Sequence, residues 1–413
     1  MNATCFRELY ARYDLNALVK TALPAAANDE DAARWLMRAL TLNYNLFLLD
    51  SESVALIEKC AAENNRHALF ALGRYHLAKM PAPDSVDKAR ECFVKARSLG
   101  LAEASVAIAN MYAYGDMGMV DRLKFRSLLD EALRQGCEYA AECVLRYTIF
   151  GLHGFDEDPE KAVGMADALI AEDTARYGEE DVNPLWYYWR ASAKLRLKDM
   201  EGVEADARTA AEKGVADAWC DVALVHSSDI DEFMKTLEKG SAARSGYSVY
   251  MLAKSAGEDY DDLPSVSRAE MRELLIESLE DAFSQGCAAA ALELGDSCQY
   301  GYYGVDEDSR KAWEWYAKGA LLGNPMCYER MFEMVRYGAV EKEQDFADML
   351  ALNGTRMGSD ALMKETVAAY RQGRLTEFAA EIEQYYMPLV GDDDETDEDE
   401  DMPDDDGRFD AYS

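Results

Sequence analysis

Histidine, proline and paired cysteine are all scarce in this chain, and each shortage excludes something. Four histidines, His67, His76, His153 and His226, are too few and too scattered for an HExxH element or a histidine-rich metal site. His153 precedes Asp156, Glu157 and Asp158, but ligands from elsewhere would be needed to hold a metal there. No GxSxG elbow occurs, and the Gly301-Tyr302-Tyr303-Gly304 run lacks the Lys-Ser/Thr of a phosphate-binding loop. The nine cysteines are an odd number without a CxxC pair, so reduced, mostly buried thiols are expected. The two N-x-T matches, at Asn2 and Asn353, are then chance. No apolar run approaches the ~18 residues of a membrane span. Arg7, Glu8, Arg12, Asp14 and Lys20 break up the N-terminal residues, so no secretory leader is expected. Prolines number 9 and sit mostly between helical stretches, as at Pro81, Pro83, Pro159, Pro184 and Pro264. Strand-like alternation is missing throughout.

Acidic charge is abundant. The net charge is −36, of which residues 391–413 carry −12 through 13 acidic residues and one arginine. Such a surface repels nucleic-acid phosphates and anionic membranes and favours basic or polar partners. It also serves solubility alone.

A unit recurs along the chain. Glycines at 100, 136, 214, 246, 286, 323 and 358 close similar helical segments, at spacings of 36, 78, 32, 40, 37 and 35. The 78 reads as two units with one closing glycine missing. Ala96, Ala132, Ala210, Ala242 and Ala282 stand four residues before a closing glycine. Lys88-Ala89, Lys124-Phe125, Lys161-Ala162, Gly202-Val203, Leu274-Leu275, Lys311-Ala312 and Phe346-Ala347 keep a second fixed phase. A first helix in each unit is marked by Ala68-x3-Leu72-Gly73, Ala104-x3-Ile108, Ala140-x3-Val144, Ala218-x3-Val222 and Ala290-x3-Leu294-Gly295. Residues four apart on a helix share a face. Small residues at fixed positions let helix axes approach, and glycine suits a left-handed helix terminus. A period in the thirties with this grammar predicts stacked helix–turn–helix units.

These residues resemble the Sel-1-like repeat, a relative of the tetratricopeptide repeat. The run Ala290-x3-Leu294-Gly295, Gly301, Gly304-Val305, Asp308, Lys311-Ala312, Trp315-Tyr316, Lys318, Gly323 matches that pattern nearly throughout, with Cys298 in place of the usual tyrosine. The units at 66–100, 102–136 and 138–173 match in their second helices, and four others are degenerate. The resemblance implies an all-α, α/α superhelical solenoid that binds proteins as a scaffold or adaptor. The regular paired cysteines of some members are missing here, as are the membrane or secretion segments of others.

The expected organisation is an N-terminal helical cap over 1–65, about eight repeats over 66–358, capping helices over 359–390 and a disordered acidic tail over 391–413. Trp35, Leu36, Leu40, Leu46 and Leu49 mark the first helix of the cap after 30. Acidic insertions, Glu172 to Asn183 and Ser255 to Ser267, are expected as loops.

Candidate binding residues follow from exposure arguments. Trp186, Tyr187, Tyr188 and Trp189 are consecutive on a helix, so all four cannot enter one core and at least one faces outward. Either they pack beneath the 172–183 insertion or Trp186 and Tyr187 serve as interface anchors. Tyr302 and Tyr303 raise the same choice in a glycine loop. Arg74, Arg146 and Arg190 lie on first helices, the concave face in this architecture, and receive either a partner's carboxylate or ordinary ion pairs. Together these features predict a cytoplasmic, non-catalytic scaffold that binds a protein or peptide in its concave groove, basic partners being favoured, with no nucleic acid, no membrane, no cofactor and no metal. A hydrolase on a repeat scaffold and an acidic mimic of nucleic acid are the alternatives.

Overall fold

In the computed structural model the described residues are 3–12, 14–41, 49–78, 85–258, 260 and 264–390. The acidic tail, Asn2, Leu46, Pro81 and Pro83 lie outside them. The described residues form 22 α-helices and short 3-10 turns, with no strand among them. The chain is divided between two compact units, Met1–Met111, Arg122–Tyr260 and Glu277–Cys287 in the first, and Tyr112–Asp121, Asp261–Ile276 and Ala288–Ser413 in the second.

The first unit begins with α1 (Ala3–Ala11), α2 (Leu15–Ala22), α3 (Glu30–Thr41) and α4 (Ser51–Ala62). The helix marked by Trp35 is described as far as Thr41, and Leu49 lies before α4. Further helices follow in chain order: α5 (Arg66–Ala78) paired with α6 (Ser85–Ser98), then α7 (Ala102–Ala113), whose last two residues belong to the second unit, and α8 (Arg122–Arg134), then α9 (Glu138–Phe150) paired with α10 (Pro159–Tyr177). Next come α11 (Pro184–Arg196) with α12 (Met200–Glu212) and α13 (Ala218–Val225) with α14 (Ile230–Ala242), followed by α15 (Gly246–Gly257) and by α16 (Ser265–Ser284), the two ends of α16 belonging to different units. From α9 to α15 each helix packs on the next in chain order, as α5 does on α6. The second unit holds α17 (Ala288–Tyr300), α18 (Ser309–Leu321), α19 (Pro325–Arg336), α20 (Gln344–Arg356), α21 (Asp360–Arg371) and α22 (Ala379–Tyr385), again packed in chain order.

Local chemistry sets these boundaries. Asp158, Asp199, Asp229 and Asp308 each accept a backbone N–H of the helix they open. Asn183 and Asn324 do so with proline in the first turn, where a missing N–H costs nothing. Ends are made by glycine in the left-handed region, with φ of 82° at Gly100, 73° at Gly136 and 88° at Gly323.

Packing follows the repeat phase. Ala96, Ala132, Ala210 and Ala282 are fully buried, and so are Ala89, Phe125, Ala312 and their equivalents. A Cβ on Gly295 would lie 2.3 Å from the Tyr316 ring, so the glycine after Leu294 admits the aromatic of the second helix.

Three expectations need correction. Gly246 does not close a helix: Arg244 takes the left-handed turn (φ 64°), while Gly246 opens α15 against the Ala282 carbonyl. The small packing residue shifts accordingly, so Gly240 is buried and Ala242 exposed. The closing glycine thought missing is displaced, because α10 runs on through the first insertion and ends at Gly178 (φ 88°). That insertion is therefore helix plus a 3-10 turn at Glu179–Asp181, and α15 and α16 extend into the second in the same way.

Candidate functional site

Successive first helices of the first unit present Arg74, Asn110, Arg146 and Arg190 at one position of the repeat. Arg74 donates to the Tyr139 hydroxyl and to the Thr41 carbonyl, each at 3.1 Å. Asn110 donates to the same Tyr139 oxygen at 3.3 Å and accepts from the Tyr147 hydroxyl at 2.9 Å. The Arg146 guanidinium stands 5.2 Å from the Tyr147 ring. Arg190 is chelated by Asp206 at 2.6 and 2.8 Å, with Asp167 at 2.5 Å. These arginines make hydrogen bonds within the chain, and Arg74 is buried, so they do not stand open as receivers of a partner's carboxylate.

Trp186 is likewise not at the surface. It is 1% exposed, and its indole N–H donates to Asp173 Oδ2 at 2.9 Å, beneath the insertion. Tyr188 and Trp189 are buried with it, and Tyr187 alone of the four is half-exposed, 5.5 Å from the Arg190 guanidinium. At the middle of this face Glu142 is buried. Loss of hydration pushes its carboxyl up to about 7, against the opposing pull of Arg146 and Arg74.

A second polar assembly on this face was not visible in sequence. Arg38 of α3, itself buried, grips Glu138 of α9 through two bonds at 2.7 and 2.9 Å. It also donates to the Asp181 carbonyl at 3.1 Å and to Asp173 Oδ2 at 3.5 Å. Asn183 donates to Glu138 at 3.0 Å, and its backbone N–H donates to Asp173 at 2.9 Å. Arg7 of α1 pairs with Glu180 and Asp181 at 2.8 and 3.1 Å. Arg34 lies over the Tyr177 ring at 3.8 Å, and Tyr10 packs on Trp35 with centroids 5.2 Å apart. The Tyr10 hydroxyl and the Trp35 indole N–H are buried here with no hydrogen-bond partner among the described residues. Each such group costs about 1–3 kcal/mol. The N-terminal helices thus lie along the first-helix face, with α3 against α5 and α9.

In the second unit Tyr300 and Tyr302 are exposed neighbours, with ring centroids 5.6 Å apart. Tyr303 is held back: its φ is 57° and its hydroxyl donates to Glu293 at 2.6 Å. Asp296 and Arg330 continue the repeat position seen at Arg74, and Tyr337, 78% exposed, is a further surface aromatic that sequence reasoning passed over.

The other motifs resolve plainly. His226 shares a hydrogen bond of 3.1 Å with Glu204, and His153 packs edge-on to Tyr147 at 4.9 Å. Among the described residues no three His, Cys, Asp or Glu side chains are grouped to hold a metal, and no helix is long and apolar enough to cross a membrane.

No family model and no curated protein matches the chain. Among solved structures it is similar to a Sel1 repeat protein from Oxalobacter formigenes, at 17% identity over 75% of this chain and 87% of that one, with a TM-score of 0.36. It is also similar to c5321, a protective antigen present in uropathogenic Escherichia coli strains displaying an SLR fold, at 18% identity, 91% and 96% coverage and a TM-score of 0.28. The repeat architecture itself rests on this chain's own helices, in which the recurring glycines close turns in the left-handed region and the recurring alanines are buried.

Proposed function

We propose that the chain is a non-catalytic protein-interaction scaffold whose first-helix faces receive a segment of a protein partner. One observation carries the reading: a single repeat position holds Arg74, Asn110, Arg146 and Arg190, the first three tied through Tyr139 and Tyr147 into a polar row and Arg190 fixed separately by Asp206, with Tyr187 half-buried beside it. Rigid elements bearing polar rows and half-exposed aromatics suit recognition, because little side-chain freedom is lost on binding. The net charge of −36 selects basic or polar partners over nucleic acid and anionic membranes. Mostly buried cysteines without disulfides accord with a reducing, cytoplasmic setting.

Affinity capture with the full chain and with Tyr187→Ala and Tyr302→Ala variants tests the reading. A partner retained by the native chain and lost from either variant is expected. The same partner held equally by all three would overturn this use of the faces. The same charge favours a second reading, an acidic mimic of nucleic acid. Under that reading polyanions compete for the partner, whereas docking through the aromatic edge is insensitive to them.

A further inference from the structure

The acidic insertion at 172–183 and the N-terminal helices explain one another. Asp173, Glu180, Asp181 and Asn183 all come from the insertion or its end, and every one of them meets Arg7 or Arg38, or the carboxylate that Arg38 grips. Residues 1–41 carry five basic and five acidic side chains, so the whole net charge of −36 resides in the remainder. A neutral segment bearing Arg7, Arg34 and Arg38 beside Tyr10 and Trp35 therefore lies on an anionic wall that fits it.

We infer that the wall formed by Glu138, Asp173, Glu180 and Asp181 is a docking site for a helix carrying arginines beside aromatic residues, and that α1–α3 is its resident occupant, which a partner helix of the same chemistry displaces. The inference rests on the scaffold reading above and names the partner's chemistry.

Three features support exchange over permanent packing. Arg38 to Glu138 is a bidentate pair, which any suitably placed guanidinium reproduces. The buried Tyr10 hydroxyl and Trp35 N–H, both on the resident segment, find no protein partner among the described residues, so release of the segment returns two donors to water and a partner helix without such unsatisfied donors binds better than the chain's own segment. Outside the wall, the polar ties of α2 are exposed: Lys20 pairs with Asp50 and Glu52 at 2.8 Å each, where ion pairs are weak, and Asn16 Oδ1 accepts the Asp50 N–H at 2.9 Å.

The test uses the full chain and a labelled synthetic peptide of residues 1–41. Arg38→Glu sets a carboxylate against Glu138 and should open the site, so the peptide should bind this variant at least tenfold tighter than the native chain. A peptide carrying the same Arg38→Glu change should bind neither. Equal binding to both chains, or none to either, overturns the inference. Should Arg38→Glu lose its helical signal, Arg7→Glu serves as the milder variant. Independently, hydrogen exchange on the native chain with excess peptide should speed amides in α1 and α3 and leave α9 and α11 unchanged; unchanged exchange in α1 and α3 overturns it too. A protein partner captured equally by native and Arg38→Glu chains also overturns resident occupancy while the scaffold reading stands. Peptide exchange with no partner ever captured does the reverse.

Discussion

Arg330 donates through Nε to Asp296 Oδ1 at 3.2 Å, and the two residues hold the same position on consecutive first helices. Asp296 also accepts from the Tyr316 hydroxyl at 2.7 Å, so one carboxylate links a first helix, its own second helix and the next unit. Burial raises the Asp296 pKa, opposed by these two donors. Repeat arrays are stabilised chiefly by such nearest-neighbour contacts.

That geometry sets the first prediction. Asp296→Ala should cost about 2 kcal/mol, because it leaves a buried hydroxyl and a half-buried guanidinium without their acceptor. A double-mutant cycle of Asp296→Ala with Arg330→Ala, read by urea unfolding, should give a coupling of about 1 kcal/mol. Strict additivity would show that the pair only coexists.

Two glycines should respond in opposite directions. Gly295→Ala places a methyl 2.3 Å from the buried Tyr316 ring and should destabilise by about 1–3 kcal/mol, typical of overpacking. Ala312→Trp, at a fully buried small position, should be at least as damaging. Gly164→Ala meets nothing within 4 Å on the exposed side of α10 and should stabilise by about 0.5–1 kcal/mol through helix propensity. Thermal melts of the three variants decide whether the repeat phase has been placed on the correct helix faces.

The contrast shows what the sequence made legible. Closing glycines and buried alanines could be read because each is dictated locally, by a left-handed turn or by the approach of the adjacent helix. Gly246 misled because Arg244 adopts the left-handed turn itself, at a cost that the repeat pattern does not reveal. Trp186, Asp173 and Arg38 were beyond reach for another reason. Arg38 meets Glu138 from 100 residues away and Asp173 from 135, and no spacing rule encodes such a meeting. The insertion looked like a loop because its inward residue, Asp173, is acidic and its arginine partner lies in another part of the chain.

Thiol reactivity should divide along burial. Loss of hydration pushes the Cys143 thiol up to about 11 and Cys220 up to about 12, and Cys327 is raised as well. A thiol reacts as its thiolate, so these three should resist alkylation at pH 8 in the folded chain. Cys5, which is partly exposed, should label first. Reductant should leave the melting temperature unchanged, since no disulfide joins any of the nine cysteines. A large fall in reductant would reveal disulfides instead.

The last prediction concerns Glu142 and pH. Its carboxyl is pushed up to about 7 by burial beneath the N-terminal helices, from an ordinary value of 4.5. Arg74 and Arg146 oppose the shift, and nearby Glu138 adds to it, while Tyr10, Tyr139 and Cys143 face the same group. The folded chain therefore holds a proton on Glu142 more tightly than the unfolded chain does. Stability from this group is greatest below about 4.5 and falls as pH rises through about 7, beyond which the loss is complete. Glu142→Gln keeps the shape and removes the titration. The native chain should lose melting temperature relative to Glu142→Gln between pH 5 and pH 7.5, with parallel curves above that. Curves parallel throughout would mean that Glu142 stays ionised, held by Arg74 and Arg146 more strongly than burial opposes. The same pH rise should loosen α1 at Tyr10, since a second carboxylate charge then forms near Glu138 and Tyr10, so hydrogen exchange in α1 should quicken with pH in the native chain after correction for the intrinsic rate, and not in Glu142→Gln.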